Sequence, residues 1–161
     1  MKQDLVVIGG GPGGLVVASV AAQLGLRVTL AEQTDRLGGD CLHTGCVPSK
    51  SLIAMSRIAH ATRRGVATGL LSSMPDIDFA SAIAHVDRVI GKIQLHDDPE
   101  RFRGYGCDVR FGKAVFTGDR EVVVDEEIIR GRRFLIATGS QPSIPPVPGL
   151  EEAGFDTNET I

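Results

Sequence analysis

The sequence predicts an α/β domain that has a parallel sheet and, after it, a small antiparallel β-meander. Residues 5–32 contain an apolar run, a glycine-rich turn, an apolar helix and a second apolar run. Strands buried on both faces of a parallel sheet give such continuous runs. After Gly106 the apolar period changes to two, which is typical of antiparallel strands with one solvated face.

Length and composition fit one globular domain of 161 residues, with 42% hydrophobic and 23% charged residues. The net charge of −3 gives no reason to expect nucleic acid or an anionic membrane as a partner. Three cysteines do not make a disulfide scaffold, and neither a signal peptide nor a long apolar span is visible. We therefore expect a cytoplasmic protein.

A β-α-β unit opens the chain. Leu5-Val6-Val7-Ile8 is the first predicted strand, a helix is predicted from about Gly13 to Leu24, and residues 27–31 form the second strand. Gly25 fits the end of the helix. The second strand runs directly into Glu32.

The pattern Gly9-x-Gly11-x-x-Gly14 lies between this strand and helix and predicts a Rossmann-like dinucleotide site. Gly9 makes the tight turn, Gly11 lets the backbone approach a pyrophosphate, and Gly14 lets helix and strand pack closely. The helix N-terminus offers N–H groups to the phosphates. Glu32 can accept hydrogen bonds from both ribose hydroxyls, which favours FAD or NAD over NADP.

Two cysteines, Cys41 and Cys46, lie five positions apart among glycines. In a regular helix such residues are roughly 8–9 Å apart, whereas a disulfide tolerates about 7 Å. A bridge would therefore need a bend, which Gly45 permits. Pro48 fits the first turn of a new helix, and Lys50 follows on the same face as Cys46. Because a helix N-terminus favours the thiolate, the segment predicts a redox-active dithiol.

Three other interpretations of the cysteine pair stay open. A structural disulfide is one, although so short a loop constrains the unfolded chain little. A zinc site is another, although Cys107 and the four histidines show no matching spacing. Buried inert thiols are the third, but they explain neither the glycines nor Lys50.

Two longer helices and a meander are predicted after the cysteines. The first helix begins near Val47 and ends within residues 61–65, before a connector at 63–69. The second begins after Asp78 as N-cap and continues to about Ile93. The meander is predicted as three runs, at residues 109–116, 121–124 and 128–136, followed by a proline-rich extended exit.

Taken together, these motifs resemble the N-terminal FAD-binding part of the class I pyridine nucleotide-disulfide oxidoreductases, which include dihydrolipoyl dehydrogenase, glutathione reductase and mercuric reductase. The pattern Gly-Gly-x-Cys-x-x-x-x-Cys-Val-Pro-Ser-Lys is highly specific for that family. The resemblance covers essentially all of residues 1–161, and the Ser-Lys ending is closer to dihydrolipoyl dehydrogenase and mercuric reductase.

The resemblance implies FAD along the glycine turn, and the spacing of cysteines and histidines gives us no reason to expect a metal site. Glu32 would hold the adenosine ribose, Ala114 would meet the adenine through its backbone, and Thr138 would lie on the flavin side. The implied cofactor-binding residues are Gly9, Gly11, Pro12, Gly13, Gly14, Glu32, Gly39, Asp40, Gly45, Lys50, Ala114, Ala137, Thr138 and Gly139.

The resemblance also implies the chemistry. Hydride would pass from NADH or NADPH to the flavin, and the reduced flavin would reduce a Cys41–Cys46 disulfide. The resulting dithiol would then reduce a small disulfide or a metal-ion substrate. Cys46 would lie next to the flavin, Cys41 would exchange with substrate, and Lys50 would lie near the flavin N5. Two positions depart from the family pattern: Asp40 replaces Thr and His43 replaces Asn. His43 could promote the thiolate or serve in packing.

A full member of the family also has an NAD(P) domain, a returning FAD segment and a dimerisation domain, none of which is recognisable by residue 161. We therefore expect residues 1–161 to be the first segment of an FAD-binding domain, incomplete at the C-terminus. Alone it should bind FAD weakly or not at all, lack turnover, and expose an uncovered face or self-associate, whereas the full-length protein would be a homodimer. The alternatives are a stand-alone nucleotide-binding thiol sensor and a thiol metal-binding module.

Overall fold

The computed structural model describes residues 2–160. The strands are β1 (Leu5–Ile8), β2 (Val28–Glu32), β3 (Cys107–Phe111), β4 (Ala114–Gly118), β5 (Glu121–Val124), β6 (Glu127–Arg130) and β7 (Phe134–Ile136). The helices are α1 (Pro12–Gln23), α2 (Gly39–His43), α3 (Cys46–Ala67), α4 (Phe79–Gln94), α5 (Pro99–Gly104) and α6 (Leu150–Ala153). A parallel sheet of order β3-β2-β1-β7 lies beside an antiparallel sheet of order β4-β5-β6, which confirms the predicted fold class.

The core lies on both faces of the parallel sheet. Val6 and Val7 are fully buried, as the continuous apolar run predicts. Val7 faces a cluster with Leu15 and Ala18 of α1. Val6 faces a second cluster with Val122, which the antiparallel sheet contributes. The helix and the antiparallel sheet therefore hold the parallel sheet between them.

The predicted meander is correct for β4–β6 and wrong at its two ends. Residues 109–111 and 114–116 were expected in one run, but β3 pairs in parallel with β2 whereas β4 pairs with β5. Gly112, at a φ of +143°, separates them and donates its N–H to the Glu32 carbonyl at 2.7 Å. Likewise, 134–136 pair in parallel with β1. A period of two does not distinguish an edge strand of a parallel sheet from an antiparallel strand.

The two long helices, α3 and α4, begin where the sequence predicts, but α3 ends later than expected. Asp78 caps α4 by accepting the Ser81 N–H at 3.2 Å. α3 continues to Ala67, through part of the predicted connector. Gly65 is buried there, and a Cβ on it would lie 2.9 Å from Leu71 Cδ1. Close packing therefore favours glycine within this helix despite its low helix propensity.

The outer face of α1 is apolar and exposed. Val16 and Val20 are 63% and 52% exposed, and Leu24, which follows the helix, is 76% exposed. A helix that is apolar on nearly all sides is typical of a buried position. Within residues 2–160, no helix combines the length and apolarity needed to cross a membrane.

Candidate functional site

The glycine turn between β1 and α1 is shaped by contacts that exclude side chains. Gly9 has a φ of +109°, and a Cβ on it would lie 2.2 Å from the Ala137 carbonyl oxygen. A Cβ on Gly14 would lie 1.9 Å from the Gly9 carbonyl oxygen. These two glycines are therefore required by the packing of α1 against the end of the sheet.

Gly11 and Gly13 differ, because the surrounding protein leaves space at both positions. A Cβ on Gly13 would meet nothing within 4 Å, and one on Gly11 would come no closer than 3.9 Å to another atom, the Gly39 Cα. Both lie at the start of α1, which opens on Pro12 and has no acidic residue in its first turn. Backbone N–H groups at such a start lack helical partners and attract anions. This open cradle fits the pyrophosphate of a dinucleotide.

Glu32 ends β2 with a buried carboxylate, only 8% exposed. Its Oε2 accepts the Gly10 N–H at 2.6 Å. Its Oε1 accepts the Thr34 N–H at 2.8 Å and the Thr34 hydroxyl at 3.0 Å. A carboxylate offers about four acceptor positions, so roughly one remains for a ribose hydroxyl. Sequence reasoning missed Thr34, although a hydroxyl two residues after a carboxylate is a local hydrogen-bonding signal.

The cysteine segment packs directly against the glycine turn. Gly38 donates its N–H to the Gly10 carbonyl at 2.9 Å. A Cβ on Gly39 would lie 2.7 Å from Gly11 Cα. Cys41 then lies on the single turn α2, which sequence reasoning missed, and Cys46 begins α3. The bend predicted at Gly45 lies between these two helices.

The two cysteines have different surroundings. Cys41 is partly buried, whereas Cys46 is exposed. Hydrogen bonding to the Cys46 side chain, followed by burial, raises the pKa of Cys41, and the positive charge of Lys50 opposes this rise. Both causes favour the protonated form of Cys41. Lys50 is exposed on α3, close enough for its charge to act on Cys41.

Cys107 lies outside this site. It is buried on β3, 4% exposed, and its thiol donates to the Ala18 carbonyl at 3.5 Å. Burial raises the pKa of Cys107, as expected for an inert core thiol. Within residues 2–160, no group of three or more His, Cys, Asp or Glu side chains is arranged to hold a metal ion.

The two positions that depart from the family pattern both make local hydrogen bonds. His43 Nε2 bonds to the Leu37 carbonyl at 2.9 Å, and Gln94 donates to the same oxygen at 3.3 Å. This contact favours the packing role of His43. Asp40 accepts hydrogen bonds from the Thr44 hydroxyl and, at 3.0 Å, from the Asn158 amide.

The remaining predicted site residues lie at the same edge of the parallel sheet. Ala137 follows β7 and donates its N–H to the Ile8 carbonyl at 2.8 Å, beside the glycine turn. Thr138 and Gly139 come next, both exposed. Ala114 opens β4, two residues after the hydrogen bond between Gly112 and β2. Carboxyl ends of parallel strands are where open α/β sheets bind ligands.

Comparison with known proteins identifies the family. Residues 3–161 match the family model described as pyridine nucleotide-disulphide oxidoreductase. A mercuric reductase of Lysinibacillus sphaericus is 33% identical over 98% of this chain, and a dihydrolipoyl dehydrogenase of Acholeplasma laidlawii is 32% identical over 94%. The structure of the HOCl-induced flavoprotein disulfide reductase RclA from Escherichia coli matches 92% of this chain with a TM-score of 0.72 and 29% identity.

This chain spans only part of each of those proteins. It covers 29% of the mercuric reductase, 45% of the dihydrolipoyl dehydrogenase and 31% of the RclA chain. All three are oxidoreductases by name. Because the family model matches nearly every residue, the chain belongs to the pyridine nucleotide-disulphide oxidoreductase family.

Proposed function

We propose that residues 1–161 form the first segment of the FAD-binding domain of a flavoprotein oxidoreductase, with Cys41–Cys46 as its redox-active disulfide. The observation that supports this most strongly is the contact between the cysteine segment and the glycine turn. It consists of the Gly38–Gly10 hydrogen bond of 2.9 Å and the packing of Gly39 on Gly11. A cofactor seated on that turn would lie on the same side of the domain as the cysteine segment.

The chain's own residues would hold FAD at the carboxyl edge of the sheet. The space at Gly11 and Gly13 admits the pyrophosphate, and the α1 N-terminus supplies N–H donors. Glu32 retains acceptor capacity for the ribose. When bound, FAD would supply two-electron redox chemistry that protein side chains lack.

The cysteine pair would store two electrons. Two electrons and two protons break the disulfide bond and leave a thiol on each cysteine. The exposed Cys46 sulfur would face the cofactor, Cys41 would attack the substrate, and Lys50 would balance negative charge near both. The relatives' names suggest a small disulfide or a metal ion as the substrate.

The rest of the reaction would depend on parts of the protein beyond these residues. We propose that NAD(P)H binds there and that the complete protein is a cytoplasmic homodimer. The exposed face of α1, including Val16 and Val20, supports further covering structure or self-association. The 161-residue chain spans only about a third of the mercuric reductase and of the RclA chain. This supports weak FAD binding and no NAD(P)H turnover when the chain is alone.

Amide NMR of the labelled chain with millimolar FAD tests this proposal even when binding is weak. We expect the largest shift changes at residues 9–14, 38–41 and 137–139. Gly13→Val should weaken binding because its side chain fills the cradle. Gly91→Val is the matched control, since Gly91 is also helical and meets nothing within 4 Å. No shift changes at the glycine turn, or equal affinities for both variants, would contradict FAD binding there.

A further inference from the structure

We infer that Asp40 is a positioning residue for the Cys41–Cys46 pair: it holds the bend between the two cysteines and fastens the C-terminal segment, residues 157–160, beside them. This inference rests on the proposed redox function of the pair. It rests on the hydrogen bonds that the Asp40 carboxylate accepts from Thr44 and Asn158.

Asp40 bonds to both residues that separate α2 from α3. Its carbonyl oxygen accepts the Thr44 N–H at 3.0 Å and the Gly45 N–H at 2.6 Å. Its carboxylate Oδ1 accepts the Thr44 hydroxyl. Main chain and side chain of one residue thus fix the two linking residues.

This bend decides whether the two sulfurs can meet. Cysteines five apart in a continuous helix are roughly 8–9 Å apart, beyond the reach of about 7 Å for a disulfide. A Cβ on Gly45 would lie 3.0 Å from the Asp40 carbonyl oxygen and 3.1 Å from its Oδ2. Asp40 therefore packs closely on Gly45, and the bend is held by this contact as well as by hydrogen bonds.

The same carboxylate oxygen also contacts a distant part of the chain. Asn158 donates its side-chain amide to Asp40 Oδ1 at 3.0 Å, across 118 residues of sequence. Asn158 lies in a compact turn, in which Thr157 donates its N–H to the Thr160 hydroxyl at 2.8 Å. Residues 157–160 are thereby joined to the bend through this hydrogen bond.

The equilibrium between the dithiol and glutathione disulfide measures how well the two thiols are positioned. One glutathione disulfide oxidises the pair, forms one Cys41–Cys46 bond and releases two glutathione thiols. We expect Asp40→Ala and Thr44→Val to lower this equilibrium constant about tenfold, which is about 30 mV for two electrons. Asp40→Asn keeps the Oδ1 acceptor and should stay within about twofold of wild type. Asn158→Ala should give an intermediate loss of roughly threefold.

The variants separate positioning from other roles. If Asp40→Ala is folded by circular dichroism and keeps the wild-type constant, the inference is wrong. If Asp40→Ala does not fold, Thr44→Val tests the inference in its place, because this substitution only replaces a hydroxyl with a methyl group. A loss in Asp40→Asn as large as in Asp40→Ala would mean that charge acts rather than the hydrogen bonds, and would overturn the inference. Failure of the wild-type chain to form the disulfide would instead contradict the proposed function, and the inference with it.

Discussion

Gly39 lies so close to Gly11 that a Cβ on Gly39 would fall 2.7 Å from the Gly11 Cα. Gly39 also has a φ of +59°, in the left-handed region that favours glycine. The contact joins the helix that carries Cys41 to the turn that opens α1. The cysteine segment and the nucleotide turn are therefore one packed unit.

Gly39→Ala should destabilise the fold through a steric clash in addition to backbone strain. Gly69 is the matched control, with a φ of +76° and nothing within 4 Å of an added Cβ. We expect Gly69→Ala to lower the free energy of unfolding by about 1–2 kcal/mol, the cost of the left-handed conformation. Gly39→Ala should lower it by about 3 kcal/mol or more. Urea unfolding measures both, and equal losses would show that the contact is not tight.

Glu32→Gln should destabilise the turn because it replaces an acceptor of charge-assisted hydrogen bonds. The carboxylate accepts two N–H groups and one hydroxyl, from Gly10 and Thr34. The glutamine amide has the same shape, but its NH₂ group would face one of those donors and could not accept a hydrogen bond from it. We expect the free energy of unfolding to fall by about 1.5–3 kcal/mol.

Thr34→Val is the milder comparison for this site, because it removes one hydroxyl donor and keeps the Thr34 N–H bond. Its loss should be about 1 kcal/mol. If Glu32→Gln costs no more than Thr34→Val in urea unfolding, the carboxylate is not what fixes the turn.

The pH dependence of alkylation should report the contact between the two cysteines. Hydrogen bonding to Cys46 is the largest cause of the raised pKa of Cys41, so Cys46→Ala should lower that pKa towards the ordinary thiol value. Cys41 would then react with iodoacetamide at lower pH. Lys50→Met removes an opposing charge and should raise the pKa of Cys41 further.

Mass spectrometry of the alkylated peptides would follow Cys41, with buried Cys107 as the unreactive internal control. An unchanged pH profile for Cys41 in Cys46→Ala would show that the two side chains do not interact.

Acid unfolding should depend on Asp4, at the N-terminal end of the parallel sheet. The Arg27 side chain is the main cause that lowers the pKa of Asp4 to about 2, with a smaller contribution from Arg132. Because the unfolded value is about 3.9, the ion pair stabilises the fold above about pH 4 and is lost as pH falls through about 2.

Asp4→Asn should therefore lower the melting temperature near neutral pH, and its difference from wild type should shrink between about pH 4 and pH 2. Added salt should also reduce it. The exposed Asp87 on α4 provides a control substitution, Asp87→Asn. A difference that is constant with pH would exclude the ion pair as its cause.

Local sequence signals correctly predicted the helices and strands that begin or end at a residue with a known local preference. The apolar run before Gly9, Pro48 in the first turn of α3 and the Asp78 cap each have a local physical cause. These signals gave the β-α-β unit and the bend at Gly45. The glycine turn, the cysteine segment and the Ala-Thr-Gly exit together also indicated the family.

Features that depend on distant partners escaped prediction. β3 and β7 join the parallel sheet through pairing with β2 and β1, which alternation alone does not encode. α2 is too short to be stable by itself and depends on contacts such as that of His43 with Leu37. The bond between Asp40 and Asn158 crosses 118 residues and carries no local signal.

The most direct test of the redox proposal mixes the oxidised 161-residue chain with photoreduced FAD. The rate at which new thiols appear measures reduction of the Cys41–Cys46 disulfide. We expect the rate to saturate with FAD concentration, to fall in Gly13→Val and to be unchanged in Gly91→Val, the variant matched by its open surroundings. A rate that rises linearly with FAD and is the same in all three proteins would contradict transfer from a cofactor held at the glycine turn.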